Sequence, residues 1–142
     1  MTIVKVNLKR VNDAYHFEAS NEDAVKAHID ASPDVGGENK GMRPMQMLLA
    51  ALGGCAGIDI VGILKKQRQE IDSFTIEVTG DRGDSGTYNL YRKINLHFKL
   101  KGKIDKGKAL RAVQLSLEKY CSVAKTLEPT AKLTYEVSVK EK

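Results

Sequence analysis

Cysteine and histidine are scarce in this chain: two of the first, Cys55 and Cys121, and three of the second. No secretory leader opens it, because Met1-Thr2-Ile3-Val4-Lys5 runs into alternation rather than a long apolar stretch. The chain is therefore read as cytoplasmic. There a standing structural disulfide is not expected, and thiols are catalytic, redox-sensing or simply buried. His16, His28 and His97 fall on polar faces with no ligand spacing among them, so they read as surface residues rather than metal ligands. Zinc-finger spacing and RNA-binding aromatic motifs are absent. The formal charge of +5 permits weak association with nucleic acid, but the lysines are scattered along strand edges and helix ends, so it reads as a solvated basic surface and a nucleic-acid partner is not expected. The glycine-rich loop over residues 32–43 does not have the spacing of a phosphate loop. Neither repeats nor low-complexity segments occur. With 142 residues, 42% hydrophobic and 29% charged, the sequence is that of one globular domain over 1–142.

One long apolar stretch is present, residues 44–68, PMQMLLAALGGCAGIDIVGILKKQR. Pro44 suits a first helical position, and Lys65, Lys66 and Arg68 suit a helix C-terminus. From Met45 to Leu64 the predicted helix is apolar on nearly every face, so it is either wrapped by protein or spans a membrane. Asp59 and four glycines (Gly53, Gly54, Gly57, Gly62) argue against the membrane. Ala50, Gly53, Gly54 and Gly57 would let another backbone approach closely. One sheet and one short helix cannot cover such a helix, which predicts a homodimer. Asp59 follows Cys55 by one turn on the same face, where a carboxylate disfavours a thiolate. A reactive Cys55 therefore needs a cation from elsewhere.

Before this helix, alternation predicts strands over 3–11, 14–19 and 24–31, a meander with Val4, Val6 and Leu8, then Tyr15 and Phe17, then Val25, Ala27 and Ile29 inward. Arg10 continues the inward series of the first strand. After it come a strand over 73–79 (Phe74, Ile76, Val78 inward), a charged turn over 80–86 carrying Arg82, and a strand running to Leu100. Leu90, Arg92, Ile94, Leu96, Phe98 and Leu100 share its apolar face. Asp105 is placed to cap a helix over 106–121 with a core stripe of Leu110, Val113, Leu117 and Cys121. Ser122 reads as the N-cap of a short helix stopped by Pro129, which would put Cys121 near a helix N-terminus that favours its thiolate. A final strand spans 132–139. The order is βββ-α-ββ-αα-β, an α+β fold.

Two stretches, PMQMLLAALGGCAGIDIVGILKK at 44–66 and LSLEKYCSV at 115–123, together with the strands around them and Gly36-Gly37, resemble the OsmC/Ohr family. This family comprises osmotically inducible protein C and the organic hydroperoxide resistance proteins, and the likeness extends to its YhfA-like redox branch. The resemblance implies intertwined homodimers with central helices wrapped by sheets from both chains. It implies that Cys55 is the thiol that attacks an organic hydroperoxide and Cys121 the thiol that resolves the sulfenic acid as a disulfide. A dithiol then reduces the pair, and no cofactor takes part. Where the hydroperoxide enzymes place a glutamate paired with an active-site arginine, this chain has Met45 and Gln46. Arg10 lies in the region that supplies the arginine, and Arg82 fits a turn of the YhfA-like branch. The leading reading is thiol-dependent reduction of organic hydroperoxides. A non-enzymatic redox-sensing or ligand-binding stress-response dimer stays open beside it, as does a structural protein with inert thiols.

Overall fold

The structure, a computed structural model, describes residues 2–83 and 88–141. The chain forms two compact units, one up to Leu48 and one from Leu49 onward.

The first unit holds β1 (Asn7–Arg10), β2 (Phe17–Ser20) and β3 (Lys26–Ile29), shorter than the predicted strands. They form the expected antiparallel meander, with Leu8 opposite Ala19 and Phe17 opposite Ile29. Each turn is held by an asparagine. The Asn12 Oδ1 accepts from the N–H groups of Ala14 and His16, and the Asn21 Oδ1 from those of Asp23 and Val25. The predicted inward faces of β1 and β2 are not buried: Val4 is 81% exposed, and Val6, Leu8, Tyr15 and Phe17 are exposed as well. A single layer of sheet buries a face only when a second layer covers it.

The loop after β3 is organised by Asp30, a buried carboxylate. It accepts from the N–H groups of Ala31 (2.8 Å), Glu38 (3.1 Å) and Lys40 (3.1 Å). Burial alone would raise its pKa; those three donors and nearby His16 outweigh burial and hold it below the ordinary carboxylate value. Gly37 is required here, because a Cβ would run into the Ala31 carbonyl.

The second unit takes most of α1 (Pro44–Lys66), then β4 (Glu70–Arg82), β5 (Tyr91–Lys103), α2 (Lys106–Leu115), a π turn (Ser116–Tyr120), α3 (Ser122–Leu127) and β6 (Lys132–Lys140). The sheet order is β4-β5-β6, with β4 antiparallel and β6 parallel to β5. A parallel neighbour needs a long crossover, here α2, the π turn and α3. Leu52, Ile60 and Leu64 of α1, Ile94, Leu96 and Phe98 of β5, and Val113 of α2 are fully buried.

Helix α1 is long and apolar enough to cross a membrane, and within one chain it is covered on one side only, as expected of a helix that one sheet and one short helix cannot wrap: Leu52, Gly53, Ala56, Gly57, Ile60 and Leu64 are buried, while Ile58 is 76% exposed. Two expectations need correction. First, Arg92 does not join the apolar face of β5. A bulge pairs Asp81 with Lys93 but Arg82 with Tyr91, so one extra residue flips the alternation, burying Tyr91 and exposing Arg92 and Leu90. The turn predicted over 80–86 lies partly outside the described residues. Second, Asp105 caps α2 as expected, its carboxylate accepting from the Lys108 N–H at 3.0 Å, but Leu110 is 40% exposed. The buried side of α2 is built from Ala109, Ala112 and Val113.

Candidate thiol site

Cys55 lies about three turns into α1, half-buried, with a free thiol. Cys121 reaches it from the crossover. The Ser116 carbonyl accepts from the Cys121 N–H at 2.7 Å, a five-residue step that closes the π turn. Cys121 then leaves the helix with φ −78° and ψ 102°, and its sulfur accepts from the Ala124 N–H at 3.4 Å. Cys121 itself, not Ser122, is therefore the N-cap of α3. Its thiol is fully buried and close enough to that of Cys55 for the two to interact electrostatically.

The expected thiolate at Cys121 is overturned. Burial pushes its pKa up to about 11, aided by the neighbouring Cys55, and the N–H groups of Ala124 and Val123 pull it down by less. A helix of six residues offers its first N–H groups but cannot offset the loss of water around the sulfur.

A second polar contact joins the same two elements. The Ser116 hydroxyl, fully buried, donates to the Asp59 Oδ2 at 2.9 Å. Ser116 escaped the sequence reading. The available signal was a polar residue between Val113 and Leu117 on the core side of α2, which demands a partner.

Each candidate arginine is held by a backbone carbonyl near its own strand. Arg10 is exposed at the end of β1, its Nε donating to the Ala14 carbonyl at 2.9 Å. Arg82 is exposed at the end of β4, its Nε donating to the Asn89 carbonyl at 2.6 Å. Gln46 serves the helix rather than an arginine side chain, its Oε1 accepting from the backbone N–H of Arg43 at 3.0 Å, the reach-back of a capping box.

Two grooves flank the exposed side of α1. One, of about 570 Å³, is apolar and lined by Gly53, Gly54, Gly57 and Ile58 with Phe74 and Ile76 of β4. The other, of about 450 Å³, follows Ile58, Asp59, Gly62 and Lys66 to Leu115 and Tyr120. Ile58 lines both, whereas Leu52, three residues beyond Leu49, belongs to the core. Among the described residues no three His, Cys, Asp or Glu side chains converge as a metal site. His16 and His28 do meet, Nε2 to Nδ1 at 2.9 Å.

Proteins similar in sequence and in fold are known. The family described as OsmC-like protein matches residues 37–136, a span that includes both cysteines. Protein YhfA of Escherichia coli (strain K12) is 43% identical over 102 residues, covering 71% of this chain and 75% of that protein. The crystal structure of a hypothetical protein from Aquifex aeolicus VF5 superposes with a TM-score of 0.79 at 32% identity, covering 99% of each chain. The organic hydroperoxide resistance protein OhrB of Bacillus subtilis shares the fold, with a TM-score of 0.65 at 22% identity over 96% of this chain and 98% of that one. By sequence and by fold, the chain belongs to the OsmC-like protein family.

Proposed function

We propose that this protein reduces organic hydroperoxides by thiol chemistry, with Cys55 as the attacking sulfur and Cys121 as the resolving one. The observation that carries this reading is the neighbouring, asymmetric thiol pair. Cys121 is buried and stays protonated at neutral pH, whereas Cys55 is half-buried and reachable. The Cys55 thiolate attacks the peroxide, the O–O bond breaks, and an alcohol leaves with a proton, giving a sulfenic acid. The Cys121 sulfur displaces that oxygen as water and closes a disulfide. An external dithiol reduces the disulfide and is itself oxidised. The organic hydroperoxide resistance proteins of the same fold support the substrate class.

The thiolate needs a cation, and we assign Arg10 or Arg82 to it. The protein works as a cytoplasmic homodimer of single-domain chains, the apolar groove beside α1 being covered by a second copy. A redox-sensing dimer without turnover is the second reading. It is favoured by Met45 and Gln46, which leave no carboxylate to hold an arginine.

The test is intact mass and peptide mapping after one equivalent of cumene hydroperoxide, followed by turnover with dithiothreitol. A Cys55–Cys121 disulfide and steady consumption support the enzyme. A disulfide without turnover supports the sensor, and unmodified thiols overturn both. Cys55→Ser should abolish consumption, whereas Cys121→Ser should react once and then progress to sulfinic acid under excess oxidant. Arg10→Ala or Arg82→Ala should slow alkylation of Cys55 near neutral pH. If neither does, both assignments fall.

A further inference from the structure

We propose that Asp59 and Ser116 are positioning residues for the resolving step, holding Cys121 against Cys55 so that the sulfenic acid closes to a disulfide before it is oxidised further. The proposal rests on the thiol-pair reading above and concerns its second step alone.

Ser116 is tied at both of its polar ends. Its hydroxyl donates to the Asp59 Oδ2 at 2.9 Å, and its carbonyl accepts from the Cys121 N–H at 2.7 Å. Asp59 stands one turn from Cys55 on the same face of α1. Helix α1 therefore supplies the attacking sulfur and, one turn on, the anchor for the segment that delivers its partner.

The π turn makes this anchor necessary. Single π turns are uncommon and concentrate at functional positions, because they reset the azimuth of the residues beyond them. Here the turn ends at Cys121, whose backbone is extended and whose sulfur begins α3. Without the Asp59–Ser116 bond, the buried hydroxyl has no partner in the core, and relaxation toward a regular α turn would swing Cys121 away. The resolving sulfur has little to offer except its placement, because burial keeps it protonated at neutral pH. In the step itself the Cys121 S–H bond and the Cys55 S–O bond break, and the S–S bond forms. The hydroxyl oxygen departs with the Cys121 proton as water. The electrons come from the Cys121 sulfur, so no further reductant enters.

The experiment tracks full-length protein after one equivalent of cumene hydroperoxide, quenched at intervals and weighed intact. The mass change separates loss of the reduced form, gain of one oxygen and closure with loss of two hydrogens. Ser116→Ala should slow closure by roughly 10- to 100-fold relative to the first oxidation, as a misplacement near 1 Å does. Ser116→Thr keeps the hydroxyl and should restore closure. Asp59→Asn keeps an acceptor and should close nearly as fast as the native chain. Asp59→Ala, at a half-exposed position that leaves no core cavity, should slow closure as Ser116→Ala does, and so tests the proposal even if Ser116→Ala folds poorly. Closure at the native rate in both alanine variants overturns the proposal, and so does a loss in Ser116→Ala that Ser116→Thr does not rescue. If the native chain oxidises but never closes a disulfide, the parent reading fails first, and the proposal fails with it.

Discussion

Burial and a neighbouring thiol push Cys121 up to about 11, well above its ordinary 9.0, so its sulfur stays protonated through neutral pH. Iodoacetamide should therefore modify Cys55 first, with Cys121 reacting only as pH approaches 11; peptide mapping of a pH series reads the order directly. Equal rates at both cysteines at pH 7–8 would contradict the buried placement. The raised value also has a sign for stability. The folded chain keeps a proton that the unfolded chain releases, so this contribution is complete below 9.0 and is lost as pH rises through about 11. Asp30 acts in the opposite direction. Its lowered pKa stabilises the fold above the ordinary carboxylate range, and that contribution is lost as pH falls through the folded value. Asp30→Asn should flatten the fall of the urea midpoint between about pH 5 and pH 2. An unchanged acid limb would mean that the loop does not depend on the carboxylate.

Much of the element order was legible in the sequence, and the reasons differ along the chain. The limits of α1 come from Pro44 and the closing lysines, and those of α2 from Asp105, because caps are local chemistry. The bulge opposite Asp81 was not legible: no residue in YRKINL marks it, and it moved Arg92 from the apolar face to solvent. The pairing of Cys55 with Cys121 came from the family resemblance, since periodicity placed both sulfurs near a core without bringing them together. The π turn, and with it the Ser116–Asp59 bond, could not be read from a stripe that assumed an unbroken helix. Glycines of α1 looked alike in sequence but face different surroundings. A Cβ on Gly53 or Gly57 would press on Val78 or Ile76, whereas one on Gly62 meets nothing within 4 Å. Gly62→Ala should therefore raise stability by up to about 1 kcal/mol through helix propensity alone. A urea titration checks this, and a loss of stability would mean that something outside the single chain occupies that surface.

A single copy leaves several large apolar side chains in water. Val4, Val6 and Leu8 of the first unit and Ile58 of the second are exposed, and the groove beside α1 is about 570 Å³. Exposed apolar patches of this kind mark association. Gly54→Leu probes this cleanly, because a Cβ there meets nothing within 4 Å beyond its own stretch of helix. If a second copy packs on that position, the leucine should cost about 1–3 kcal/mol by overpacking and shift light scattering toward the monomer. If the native chain already scatters as a folded monomer at micromolar concentration, the dimer proposal fails. The parallel pairing of β5 with β6 has a further consequence, for the order in which the molecule assembles. The segment bearing Cys121 is pinned at its far end by β6, which lies along β5 across the whole crossover. Contacts that span so much chain form late, because loop closure must be paid for before they reward it. A chain made from its N-terminus thus carries Cys55 before β6 exists to pin the segment that bears Cys121. An oxidant met during that interval finds two separate thiols rather than a matched pair.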